Sequence, residues 1–155
     1  MKALGNFLVV VVVLAEISMF LTETDNNSLK FVAGLNKLLS NSDKIIHDYC
    51  DDERISCNND SQISSVTLYN IEPSAFPIGI TVIIDTLNEL MITWANLKGN
   101  IPNEIYNLKK LQYLDLRENK INGSLKSNIK NIDELNYLNL YESNLSESIP
   151  MTYIH

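Results

Sequence analysis

The sequence predicts an α/β repeat solenoid, in which short strands form a parallel β-sheet on the concave face behind a helical N-terminal cap. Two observations carry this. Aliphatic residues recur with a 24-residue period through the second half of the chain. A segment with helical apolar spacing and a close pair of cysteines precedes them.

The pattern L-x-x-L-x-L fits Leu111, Leu114 and Leu116, and again Leu135, Leu138 and Leu140. Stepping back by the same period gives Leu87, Leu90 and Ile92, then Ile63, Val66 and Leu68. The units are therefore 63–86, 87–110, 111–134 and an incomplete 135–155. Residues two apart on a strand point to the same face, so each unit has one apolar strand face that it cannot bury alone. Stacked units bury such faces against one another as a continuous core. The register continues beyond the strand with Leu97, Ile121 and Leu145, then Gly99 and Gly123, then Ile101-Pro102, Leu125 and Ile149-Pro150. Ile105 and Ile129, then Leu108 and Ile132, complete the middle units. Glycine permits a tight bend there, and proline stiffens the return path. Asn119 stands where the chain leaves the strand and can satisfy backbone groups of adjacent units. Ala95 and Ser143 replace it on either side, so any asparagine ladder is broken.

The first unit is irregular. Pro73 and Pro77 fall out of register, and 71–79 reads as a convex loop. Upstream, Ser28 is placed to cap a helix over 29–39 with Phe31, Val32, Leu35, Leu38 and Leu39 on one side. Its plain task is to cover the open end of the first unit, with a partner-binding helix as the sharper alternative.

Lys2 followed by the nine apolar residues from Phe7 to Ala15 fits a secretory signal peptide over 1–15, with small residues before the cleavage point. The run is too short for a membrane span, which needs roughly 20 residues. A buried strand or membrane anchor is the alternative. The cap then occupies 16–62, and no stable membrane span is expected after signal cleavage. Residues 1–15 hold one lysine and no acid, so their removal takes the net charge from −7 to −8. That acidity argues against a nucleic-acid partner. In an oxidising compartment Cys50 and Cys57 are expected to form a disulfide. A metal site is disfavoured because His47 is the one nearby third ligand.

Asn-Leu-Lys-Gly-Asn-Ile-Pro-Asn-Glu-Ile at 96–105, with Leu-Asp-Leu-Arg-Glu-Asn at 114–119, resembles the plant-type leucine-rich repeat. The helical segment, the C-x6-C pair at Cys50 and Cys57, and the polar run 58–62 are similar to the N-terminal cap of that family. The chain departs from the family pattern in having no tryptophan between the cysteines. The resemblance spans about 28–155. It extends to receptor-like ectodomains and polygalacturonase-inhibitor-like proteins, and implies recognition of a protein, peptide or glycan on the concave sheet. Inhibition of a secreted cell-wall hydrolase, or a truncated piece of a receptor-like ectodomain, are the alternatives. No polar cap follows Ile149-Pro150, so self-association or a co-receptor at the C-terminal edge is a further expectation.

Catalytic motifs are absent from the sequence: there is no nucleophile elbow, phosphate loop, zincin helix or dinucleotide fingerprint. No enzyme activity and no cofactor is expected. The binding candidates are the outward strand positions Tyr69, Met91, Trp94, Tyr113, Asp115, Arg117, Glu118, Tyr137, Asn139 and Tyr141. Tyr, Trp and Arg commonly anchor interfaces, and aromatic faces also stack on sugars. The plainer reading is that these aromatics only pair across neighbouring strands. Sequons at Asn26, Asn59, Asn122 and Asn144 are candidate glycosylation sites, the last two on turns leaving the strand.

Overall fold

The computed structural model describes residues 26–73 and 75–146. The signal-peptide expectation for 1–15, the start of the cap and Ile149-Pro150 lie outside the described residues.

Helix α1 (26–38) buries Phe31, Val32 and Leu35 in the core, with Leu39 just beyond it, while Leu38 is half-buried. Ser28 does not cap this helix from outside, because the helix already includes it. Its buried hydroxyl instead accepts from Ile63 N at 3.3 Å, joining α1 to the first strand of the repeats. The turn after α1 is pinned by Asn36, whose amide donates to Ile45 O and accepts from Ile45 N, both at 2.8 Å. A 3₁₀ turn at Tyr49–Asp51 follows, with the Asp48 side chain accepting from Cys50 N. The Cys50–Cys57 disulfide is formed, with Cα atoms 5.7 Å apart.

The first sheet has the order β1-β2-β3-β5-β7, with β1 (Ile55–Cys57), β2 (Ile63–Tyr69), β3 (Glu89–Thr93), β5 (Tyr113–Asp115) and β7 (Tyr137–Asn139). Strand β1 is antiparallel to β2, and the polar run between them forms a hairpin turn in which Asn58 Oδ1 accepts from Asp60 N and Gln62 N. All other pairings are parallel. Their register matches the sequence period: Val66 stands beside Leu90, Leu90 beside Leu114 and Leu114 beside Leu138. Backbone bonds from Asn88 N to Ser64 O, Gln112 N to Asn88 O and Asn136 N to Gln112 O lock each entry to the sheet.

A second, smaller parallel sheet joins β4 (Lys98–Gly99), β6 (Lys120–Gly123) and β8 (Asn144–Leu145). Its register is not the repeat period, since Lys98 pairs with Lys120 and Asn122 with Asn144. Each strand is thus slipped by two residues, which keeps side-chain facing intact because strand facing repeats every two residues. Gly123 lies at φ 80°, and an added Cβ would run into the Asn100 side chain. On the return path of each complete unit is a 3₁₀ turn, at Ile78–Ile83, Asn103–Asn107 and Ser127–Asn131.

One hydrophobic cluster runs from α1 through the four units. All nine L-x-x-L-x-L positions of the first three units are fully buried, from Ile63 to Leu116. Each such side chain contributes roughly 1.5–3 kcal/mol on leaving water. In the fourth unit Leu140 is buried while Leu135 and Leu138 are only half-buried. Among the described residues no helix is long and apolar enough to cross a membrane.

Candidate recognition surface on the parallel sheet

Strand alternation sets this surface. With Val66, Leu68, Leu90, Ile92, Leu114 and Leu116 facing the core, the intervening positions face the other side. Parallel register then stacks them into columns: Ser65, Glu89, Tyr113 and Tyr137, then Thr67, Met91, Asp115 and Asn139.

The ten sequence candidates divide by environment. Tyr69 and Tyr141 are each 63% exposed and Trp94 is 51% exposed, with Tyr137 less open. Met91, Tyr113, Arg117, Glu118 and Asn139 are half-buried. Asp115 is fully buried. Its Oδ1 accepts from Arg117 N at 3.1 Å, and Asn139 Oδ1 does the same for Tyr141 N at 3.0 Å. These side chains therefore close a backbone turn at the end of the strand, a local bond that Asp and Asn readily form. Asp115 Oδ2 accepts no hydrogen bond, and Arg117 Nε stands 3.6 Å from it.

Two neighbouring tyrosines are committed to each other. The Tyr113 and Tyr137 rings stack with centroids 4.1 Å apart and planes 1° from parallel. Burial, then the contact with Tyr137, pushes the Tyr113 hydroxyl up to about 12. For this pair the cross-strand reading of the aromatics holds. Tyr69, Trp94 and Tyr141 have no ring partner among the described residues.

The chain leaves the sheet through a further column. Asn70, Trp94, Glu118 and Glu142 follow at the repeat period, and all four adopt φ between 52° and 56°. Side chains other than Gly and Asn resist this left-handed conformation. Partial desolvation, then a hydrogen bond and charge repulsion from Glu142, raises the Glu118 carboxyl above its usual range. Tyr141 is raised chiefly by its hydrogen bond to Glu142. A cleft of about 470 Å³ opens beside this column, and Glu72, Asn96 and Lys120 line it with Trp94, Glu118 and Glu142. Glu72 accepts from Asn96 Nδ2 at 3.4 Å. Neither residue was legible as part of a site, because Glu72 sits in the irregular first unit. The repeat period, which places Glu72 one step before Asn96, was the signal available.

Asn119 is buried below the column. Its Oδ1 accepts from Ala95 N and Leu97 N at 3.2 and 3.0 Å, and its Nδ2 donates to Ile92 O, Leu116 O and Arg117 O. The four sequon asparagines are all exposed. Asn26 is on α1 and Asn59 in the β1–β2 turn, whereas Asn122 and Asn144 do not occupy turns. They lie in register on β6 and β8, because the chain extends again soon after leaving the first sheet.

No family model matches the sequence, and no curated protein matches it. Solved structures do. The BIR2 ectodomain of Arabidopsis thaliana superimposes with a TM-score of 0.69 at 24% identity, over 79% of this chain and 71% of that one. The ectodomain of the Arabidopsis thaliana receptor kinase SOBIR1 gives 0.62 at 21% identity, over 77% and 68%. The ectodomain of the Arabidopsis receptor kinase HAESA, solved with an IDA peptide hormone ligand, gives 0.67 at 25% identity, over 82% and 22%. With its period-matched parallel sheet and its Cys50–Cys57 disulfide, this chain has plant leucine-rich-repeat receptor ectodomains as its structural neighbours.

Proposed function

We propose that the chain is an extracellular recognition module. It is a leucine-rich-repeat solenoid with α1 as its N-terminal cap, directed outward by residues 1–15 and binding a protein, peptide or glycan on the concave parallel sheet. The observation that carries this reading is the set of three large aromatics, Tyr69, Trp94 and Tyr141, held at least half exposed where the strands of the first sheet end. Such side chains lose little rotamer freedom on binding and offer large contact areas. The peptide-bound HAESA ectodomain supports a peptide or protein partner in particular.

The test is a ligand screen with the folded protein against Trp94→Ala and Tyr141→Ala. A true ligand should lose roughly tenfold or more in affinity with either variant, the effect expected of an interface anchor. Circular dichroism should show the fold intact. If every ligand found binds both variants as tightly as the parent, the sheet is not the recognition surface.

A further inference from the structure

The charges on and beside the sheet are unbalanced. Glu72, Glu89, Asp115, Glu118 and Glu142 stand against two cations, Arg117 and Lys120. Arg117 is directed toward Asp115, and among the described residues Lys120 forms no ion pair. Glu118 and Glu142 are successive members of one column and line the same cleft, close enough for Glu142 to raise the Glu118 carboxyl. Trp94 is the preceding member of their column, half exposed and open to the same cleft. Asp115, on the same side of the sheet, adds a fully buried carboxylate oxygen that accepts no hydrogen bond.

We infer that the concave sheet takes a basic peptide segment, with an Arg or Lys side chain lying against the Trp94 ring between Glu118 and Glu142. The inference rests on the sheet being the recognition surface and narrows the ligand class. A cation over an indole face is attracted by the ring quadrupole. A guanidinium supplies paired N–H donors that match carboxylate geometry, and its charge offsets the repulsion between the two glutamates. A neutral or acidic segment leaves that pair uncompensated. The cation favours the ionised carboxylates, so affinity falls as acid protonates Glu118, whose carboxyl is raised. Glu142, Arg117 and Tyr141 face this carboxyl, and Lys120 lines the same cleft.

Trp94 is the single tryptophan of the chain, so its fluorescence reports on this place alone. The probes are three twelve-residue peptides alternating Gly with Arg, Gln or Glu, together with cellotetraose, each titrated at physiological salt. The Arg peptide should give a saturable change that the others do not. Glu118→Gln/Glu142→Gln should weaken it about tenfold, as expected for a local charge contact. Asp51→Asn/Glu53→Gln removes the same charge from the exposed N-terminal segment and should change affinity less than about twofold after screening. Equal weakening in both double variants would reduce the effect to general attraction by an acidic protein and overturn the inference. Failure of the Arg peptide to bind would also overturn it. Binding of the Gln peptide or cellotetraose, abolished by Trp94→Ala, would keep the sheet as the recognition surface while removing the preference for basic ligands. Calorimetric binding of any probe that is indifferent to Trp94→Ala and Tyr141→Ala would sink the broader reading instead.

Discussion

Asn119 shows how much one side chain can hold in a stacked fold. Its amide serves the backbone of its own unit and of the one before, through Ile92, Ala95 and Leu97. Ala95 cannot make the equivalent bridge one unit earlier, and Ser143 bonds only to Leu140 O within its own unit. The break in the ladder expected from sequence is therefore present, and among the described residues the bridge occurs once. Asn119→Ala would leave two N–H groups and three carbonyls without that partner, at a cost of about 2–4 kcal/mol. Urea unfolding of the variant should show that loss as a lower midpoint, and an unchanged midpoint would contradict it. Trp94 is costly in the opposite sense, since a left-handed backbone is unfavourable for a bulky residue by roughly 1–2 kcal/mol. Strain retained at an exposed aromatic fits a recognition residue better than a packing one.

Among the elements, the segment before the first repeat strand depends most on cross-links. Strand β1 lies at the edge of the sheet and forms the last part of the disulfide loop, ending on Cys57. Arg54 holds this loop from within: its Nε and Nη2 donate to the buried Asp52 carboxylate at 2.7 and 2.6 Å, and Nη1 reaches Asp43 O. Closing the short Cys50–Cys57 loop contributes about 2–3 kcal/mol on the chain-entropy model. Cys50→Ser/Cys57→Ser should lower the thermal midpoint, and reductant should lower that of the parent but not of the variant. If reductant leaves the parent unchanged, the bond is not stabilising. Pro73 and Pro77 fall out of register in the first unit, yet β2 to β3 pairing is unaffected. Tolerance of this kind is expected where a loop runs on the outer surface.

At the scale of the molecule, stability and acidity are linked through particular carboxyl groups. The Arg54 guanidinium holds Asp52 below its usual range. A depressed folded value adds stability that is present above the unfolded value and lost as pH falls through the folded one. Glu118 is raised, so its smaller contribution has the reverse sign, present below the unfolded value and lost as pH rises through the folded one. Unfolding midpoints measured across the acid range should therefore fall steeply toward low pH. Arg54→Gln should flatten that fall, besides destabilising the neutral protein by about 3 kcal/mol through an unpaired buried charge. A variant with the parent's slope would show that Asp52 does not carry the acid sensitivity.

The sequence by itself determined which residues face the core and how successive strands align. Both follow from local periodicities, two along a strand and 24 along the chain, and the first sheet reproduces them from Val66 to Leu138. The cysteine pairing was equally legible, because two thiols so close in a polar loop have few other partners. Tertiary structure decided the rest. Outward position did not settle exposure: Asp115 and Tyr141 both point away from the core, yet Asp115 is buried, with Arg117 directed toward its carboxylate, and Tyr141 is open. The slip of the second sheet, the Tyr113–Tyr137 stack and the Glu118–Glu142 contact likewise depend on neighbours one period away. Pattern within one unit fixes the direction of a side chain, whereas the packing of adjacent units fixes what covers it.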